Sequence, residues 1–262
     1  MLEPPLWVSL CIVLLTAACG GSGDSAQGPG PAEPENLSVT ILETVPHDTG
    51  AYTQGLELSE SVLWESAGLF GQSTLRKTDP EDGTVTSTYP LPDSLFAEGL
   101  TVVEDTVYQL TWRSGLVLKW NIHDPVLTVC DTIETEGWGI CAVNSTTVAT
   151  SNGSSTISFR DLSTFETVRT VEVMLEGSSI GFLNELEFAQ GQIYANRYYS
   201  DYVYRIDPED GRVTAIIDAS SLRSQFDTFT PGVLNGIAWD QENQRFYMTG
   251  KNWPVTFVVT FD

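Results

Sequence analysis

The chain has 262 residues, 41% of them apolar and 10% aromatic, which suits a globular domain with a sizeable core and not a disordered polymer. A formal net charge of −23 leaves no basic stripe to neutralise phosphates, which argues against nucleic acid as a partner. The same charge favours solubility and would attract substrates that carry a positively charged amine.

The first residues do not read as part of the fold. An apolar run over 6–18 is too short to span a bilayer comfortably and ends in Leu15-Thr16-Ala17-Ala18-Cys19; residues 20–30 are then rich in Gly, Ser and Pro. This resembles a bacterial lipoprotein signal, although Thr16 stands where such boxes usually carry leucine and the first five residues include Glu3 and no basic residue. The expectation is a signal peptide over 1–18, a tether over 19–36 with Cys19 lipidated, and a folded domain over 37–262. The protein would then be exported, periplasmic or at the cell surface, and would meet the membrane only through its lipid anchor. Cys130 and Cys141 remain in the mature chain, either paired as a disulfide or packed as small buried hydrophobes.

From residue 37 onward, Pro and Gly punctuate short runs rich in β-branched and aromatic residues. Such runs cover 37–45, 62–66, 85–89, 107–112, 116–120, 147–150, 192–196, 203–206 and 245–249, and they indicate an all-β protein. One short helical insertion is expected, over 220–229. Asp79-Pro80-Glu81-Asp82-Gly83 and Asp207-Pro208-Glu209-Asp210-Gly211 are near-identical turn signals; neither continues into a full calcium loop.

A repeat runs through these strands. Gln54-Gly55-Leu56, Glu98-Gly99-Leu100, Trp138-Gly139-Ile140, Glu185-Leu186-Glu187 and Asn235-Gly236-Ile237 align as starts of equivalent strands. Their period of roughly 45 residues is blade length for a four-stranded propeller sheet. Five anchors predict a five-bladed β-propeller, with the run 37–45 supplying the outer strand of the last blade and closing the ring. A β-sandwich would not explain the period.

In such a ring Gln54, Glu98, Trp138, Glu185 and Asn235 converge at one channel mouth, and Trp112, Asn152, Asn196 and Lys251 end the neighbouring strands on the same rim. Carboxylates, amides, a lysine and aromatics around one mouth describe a site for a polar small molecule or a chain end. A zinc site lacks support, with only His47 and His123 in the chain. Gly177-Ser178-Ser179-Ile180-Gly181 fits the pattern of a nucleophilic serine but has neither a following helix nor a histidine partner.

Taken in order, Tyr52-Thr53-Gln54-Gly55-Leu56, Phe96-Ala97-Glu98-Gly99-Leu100, Leu110-Thr111-Trp112, Gly137-Trp138-Gly139, Asn184-Glu185-Leu186-Glu187, Val233-Leu234-Asn235-Gly236-Ile237 and Thr249-Gly250-Lys251-Asn252-Trp253 closely resemble the plant and bacterial glutaminyl-peptide cyclotransferases. Ala97 and Asn152 depart from the residues most usual there. The resemblance implies a metal-independent enzyme without cofactor, a monomer acting on peptide or protein N-termini that bear glutamine. It implies Glu98 as the catalytic proton shuttle, with Gln54, Trp112, Trp138, Glu185, Asn196, Asn235 and Lys251 holding the substrate. A non-catalytic periplasmic propeller that binds a ligand at the same mouth is the alternative; a metal-dependent propeller hydrolase is a third reading.

Overall fold

The structure, a computed structural model, describes residues 33–226 and 232–262. The expected signal peptide, Cys19 and most of the tether lie outside the described residues, as does the side chain of Cys130. Cys141 is a buried free thiol. The first strand, Glu35–Pro46, begins two residues ahead of the expected start of the folded domain at 37.

The chain is all β, and among the described residues its one helix is the single turn Ser220–Arg223. Three four-stranded antiparallel sheets follow one another. Thr53–Ser59, Val62–Ala67, Thr74–Thr78 and Val85–Pro90 make the first; Ala97–Val103, Thr106–Thr111, Leu116–Asn121 and Thr128–Thr132 make the second. Ile140–Asn144, Thr147–Thr150, Thr156–Asp161 and Thr167–Glu172 make the third. A fourth meander, Leu183–Ala189 to Val213–Asp218, and a final one, Leu234–Asp240 to Val255–Phe261, are joined into one eight-stranded sheet by Glu35–Pro46. That strand pairs in parallel with the outer strand of the fourth meander, Glu35 facing Ala215, and antiparallel with the chain's last strand, Val39 facing Phe261. Both edges that would otherwise stand open are thereby paired.

The leading strands of the five groups adjoin in a ring, and glycine sets how closely they pass. A Cβ on Gly99 would lie 2.7 Å from the Trp138 carbonyl oxygen, and one on Gly139 would lie 2.1 Å from that of Asn184. Only hydrogen fits there, which is the physical origin of the recurring polar–glycine pair. Apolar side chains fill the space between successive sheets: Cys141, Ile157, Phe159, Leu186, Ile193 and Tyr204 pack together in one such layer. The two acidic turns spend their carboxylates on their own backbone. Asp79 and Asp82 accept the Glu81 and Thr84 amides, Asp207 and Asp210 accept those of Glu209 and Arg212, and Gly83 and Gly211 take φ of +76°.

Candidate active site

Four of the leading strands share one local device. Each is seven residues long and carries an irregularity just inside its start, between residues that pair normally on either side. Ala97 pairs with Thr111 and Leu100 with Gln109; Leu183 pairs with Arg197 and Leu186 with Ala195; Leu234 pairs with Gly250 and Ile237 with Met248. The equivalent second residues are therefore Gln54, Glu98, Asn184 and Asn235, with Trp138 just ahead of the remaining leading strand, Ile140–Asn144. This register corrects the sequence alignment by one residue in the fourth repeat. Asn184 occupies the slot assigned to Glu185, and Glu185 takes the place that glycine holds in the other repeats. The signal was present in the sequence, because Leu183-Asn184 copies Leu234-Asn235.

A pocket of about 210 Å³ opens at this end of the ring. Gln54, Glu98, Asn184 and Lys251 supply its polar lining, and Tyr52, Leu69, Phe96, Trp112, Trp138 and Tyr198 its apolar walls. The aromatics brace one another: the Phe96 ring packs edge-on against Trp112 at 5.4 Å, and Trp138 against Tyr198 at 5.8 Å. Leu69 holds a backbone φ of +93°, unusual for a branched side chain and of the kind that concentrates at ligand sites.

Lys251 is the cation of the pocket. Its Nζ donates to Gln54 Oε1 at 2.6 Å and stands 4.7 Å and 5.1 Å from the ring centres of Tyr52 and Tyr198. Burial lowers its pKa to about 8, with the Glu98 carboxylate opposing that shift. Glu98 is buried, and burial pushes its carboxyl well above the ordinary carboxylate range; the Lys251 charge pulls it back and the Glu136 charge adds to the rise. Its carboxylate takes no hydrogen bond from the described residues, while its backbone carbonyl accepts the Ser66 hydroxyl. A carboxyl so placed is suited to exchange a proton with a molecule bound in the pocket.

Glu185, Asn196 and Asn235 do not line the pocket. The Glu185 oxygens accept the backbone amides of Leu56 at 3.3 Å and Ile237 at 3.0 Å, so this carboxyl bridges two leading strands. Asn196 accepts the Gly236 amide at 3.0 Å, and Asn235 donates to the Thr53 carbonyl at 3.1 Å. Asn152, the other amide of the expected rim, caps Ser154. Three buried amide atoms nevertheless find no protein partner: Asn184 Oδ1, Asn196 Nδ2 and Asn235 Oδ1. Orphaned buried polar atoms are uncommon, and these belong to neighbouring strands beneath or beside one pocket. Among the described residues no group of three or more His, Cys, Asp or Glu side chains could hold a metal ion.

The family profile described as Glutamine cyclotransferase matches residues 11–261. The chain belongs to the glutamine cyclotransferase family. A glutaminyl-peptide cyclotransferase of Arabidopsis thaliana is 32% identical to it over 228 residues, which cover 84% of this chain and 70% of that protein. The crystal structure of Myxococcus xanthus glutaminyl cyclase superposes with a TM-score of 0.82 at 37% identity, covering 88% of this chain and 99% of that one. The match takes in every motif that carried the family resemblance, from Tyr52 to Trp253.

Proposed function

We infer that this cyclotransferase converts N-terminal glutaminyl residues of peptides or proteins to pyroglutamate and releases ammonia. The observation that carries the reading is Glu98, a buried carboxyl with a raised pKa facing an aromatic-walled pocket, in a chain belonging to a cyclotransferase family.

The neutral α-amine attacks the side-chain amide carbon; the new N–C bond closes a five-membered ring and the C–NH2 bond breaks. One proton must leave the attacking nitrogen and one must reach the departing nitrogen. Glu98 serves both ends by accepting the first and returning it to the leaving group, help worth about 10²–10⁴-fold in rate. Lys251 and Gln54 stand within the same pocket and supply the positive potential and amide dipole for the carbonyl oxygen as it gains charge. Asn184, with its free Oδ1, is suited to accept from the substrate's amine or amide N–H. The Trp112, Trp138 and Phe96 walls exclude water and keep the glutaminyl side chain folded toward its own amine.

In this reading the five groups of strands are the five blades of a propeller, the last closed by Glu35–Pro46. The reaction needs no metal, the enzyme is a monomer, and an exported chain lipidated at Cys19 carries it at the cell surface. Purified protein incubated with a Gln-initiated dipeptide should release ammonia, and a chelator should leave the rate unchanged. A folded preparation that yields no ammonia would sink the enzymatic reading; chelator sensitivity would sink metal independence alone.

A further inference from the structure

Glu136 is exposed and stands outside the pocket lining, in the irregular segment that leads through Gly137 and Trp138 into Ile140–Asn144, and no proton or bond of the reaction requires it. Its contacts are nevertheless specific. Trp112 Nε1 donates to Glu136 Oε2 at 2.8 Å, and Trp138 Nε1 donates to the same oxygen at 3.1 Å. Glu136 Oε1 lies 3.8 Å from Arg113 Nε, and the Arg113 guanidinium covers the Trp112 ring at 3.9 Å.

We propose that Glu136 is a positioning residue that fixes both tryptophan walls of the pocket through a single shared carboxylate oxygen. The inference rests on the cyclisation reading for its functional consequence, though not for its geometry. Trp112 follows the second strand of the second sheet, and Trp138 precedes the leading strand of the third, so the two rings come from separate sheets. Each is only partly buried, and an indole at an open mouth has several rotamers to choose from. One acceptor oxygen has two lone pairs and can receive both N–H groups only while the rings keep one mutual spacing. Arg113 closes the assembly from outside by pairing with the carboxylate and stacking on Trp112. The same carboxylate charge reaches Glu98 and helps raise its pKa, so wall geometry and the proton-transfer group share one control point.

The test compares Glu136→Ala with the isosteric Glu136→Gln, which keeps an acceptor oxygen and drops the charge. In Glu136→Ala the indole N–H resonances of Trp112 and Trp138 should both move while those of the remaining tryptophans stay. Its KM for a Gln-initiated dipeptide should rise about tenfold, with kcat falling less. Glu136→Gln should restore KM to within about threefold and shift the acidic limb of the kcat/KM profile to lower pH, since one source of the Glu98 rise is gone. Unmoved indole resonances in Glu136→Ala, or a KM in Glu136→Gln as poor as in Glu136→Ala, would overturn the assignment. The resonances are read without substrate, so the positioning role is decided even if no ammonia release is found.

Discussion

Lys251 and Gln54 are 197 residues apart in the chain and 2.6 Å apart in the pocket, Nζ donating to Oε1. The bond ties the residue directly after Arg245–Gly250 to the slot residue of the first leading strand, and both line the same cavity. Burial lowers the Lys251 pKa to about 8, so its charge is lost as pH rises through that value.

That value gives a pH prediction. If the Lys251 charge stabilises the developing oxyanion, kcat/KM falls as pH rises through about 8, once the rate is corrected for the fraction of neutral substrate amine. Lys251→Met should lose about 10–100-fold in kcat/KM and should lack that basic limb. A variant that keeps the limb would assign it to another group and remove Lys251 from the chemistry.

Glu98→Gln keeps the volume of the side chain and removes its proton. Cyclisation should drop at least about 100-fold with the fold intact. The stability profile should change as well. The folded pKa of Glu98 lies above its unfolded value, so the native state binds more protons, and stability falls as pH rises from about 4.5 through the folded value. Urea midpoints measured at about pH 5 and pH 7.5 should therefore differ less in Glu98→Gln than in the parent. Equal slopes would mean that burial does not perturb Glu98.

The one-residue register shift in the fourth repeat separates two neighbouring side chains. Asn184→Ala should reduce kcat/KM about tenfold or more with little effect on stability, because the residue lines the pocket and its Oδ1 has no protein partner to lose. Glu185→Gln should do the reverse. It places an amide N–H against one of the Leu56 and Ile237 backbone donors and costs about 1–3 kcal/mol, leaving KM nearly untouched. Denaturant unfolding beside steady-state kinetics reads both, and a stable, inactive Glu185→Gln would restore that residue to the site.

Much of this was legible in the sequence because short antiparallel strands announce themselves by punctuation. Alternating residues bounded by Gly and Pro located the strands, and the close passage at Gly99 and Gly139 made the repeat visible as a motif. Gln54, Glu98, Trp112, Trp138 and Lys251 could be brought to one mouth on that basis, and the structure places all five in the pocket lining. Glu185 was misplaced because the glycine that marks register elsewhere is absent there, and a carboxylate beside leucine looks like the repeat of Glu98-Gly99-Leu100. Tyr52, Leu69 and Tyr198 reach the pocket from loop and strand-end positions that no period specifies, although Tyr52 and Tyr198 lie within or beside the motif segments. Glu136 was invisible because its role depends on two indole directions that only coordinates show.

A buried ion pair helps to hold the ring shut. His47 directly follows Glu35–Pro46, and both of its ring nitrogens are engaged: Nδ1 donates to the Trp253 carbonyl at 2.7 Å and Nε2 to Glu65 Oε1 at 3.0 Å. With a carbonyl on one side and a carboxylate on the other, both nitrogens act as donors and the ring is an imidazolium. Burial alone would lower the His47 pKa, but the Glu65 charge and hydrogen bond outweigh it and leave it raised, with Arg76 opposing weakly. Burial would likewise raise Glu65, yet His47, Thr53 and Arg76 hold it below its usual value. A raised histidine contributes stability fully below about pH 6.5 and loses it as pH climbs through the folded value; a lowered carboxyl contributes above about pH 4.5 and loses it as pH falls through its own. The pair is therefore at full strength near pH 5–6.5. His47→Ala, which strands a buried carboxylate, should cost about 3–5 kcal/mol there and clearly less in alkaline buffer. Thermal melts of parent and variant across that range would decide it, and a pH-independent difference would mean that His47 is held neutral.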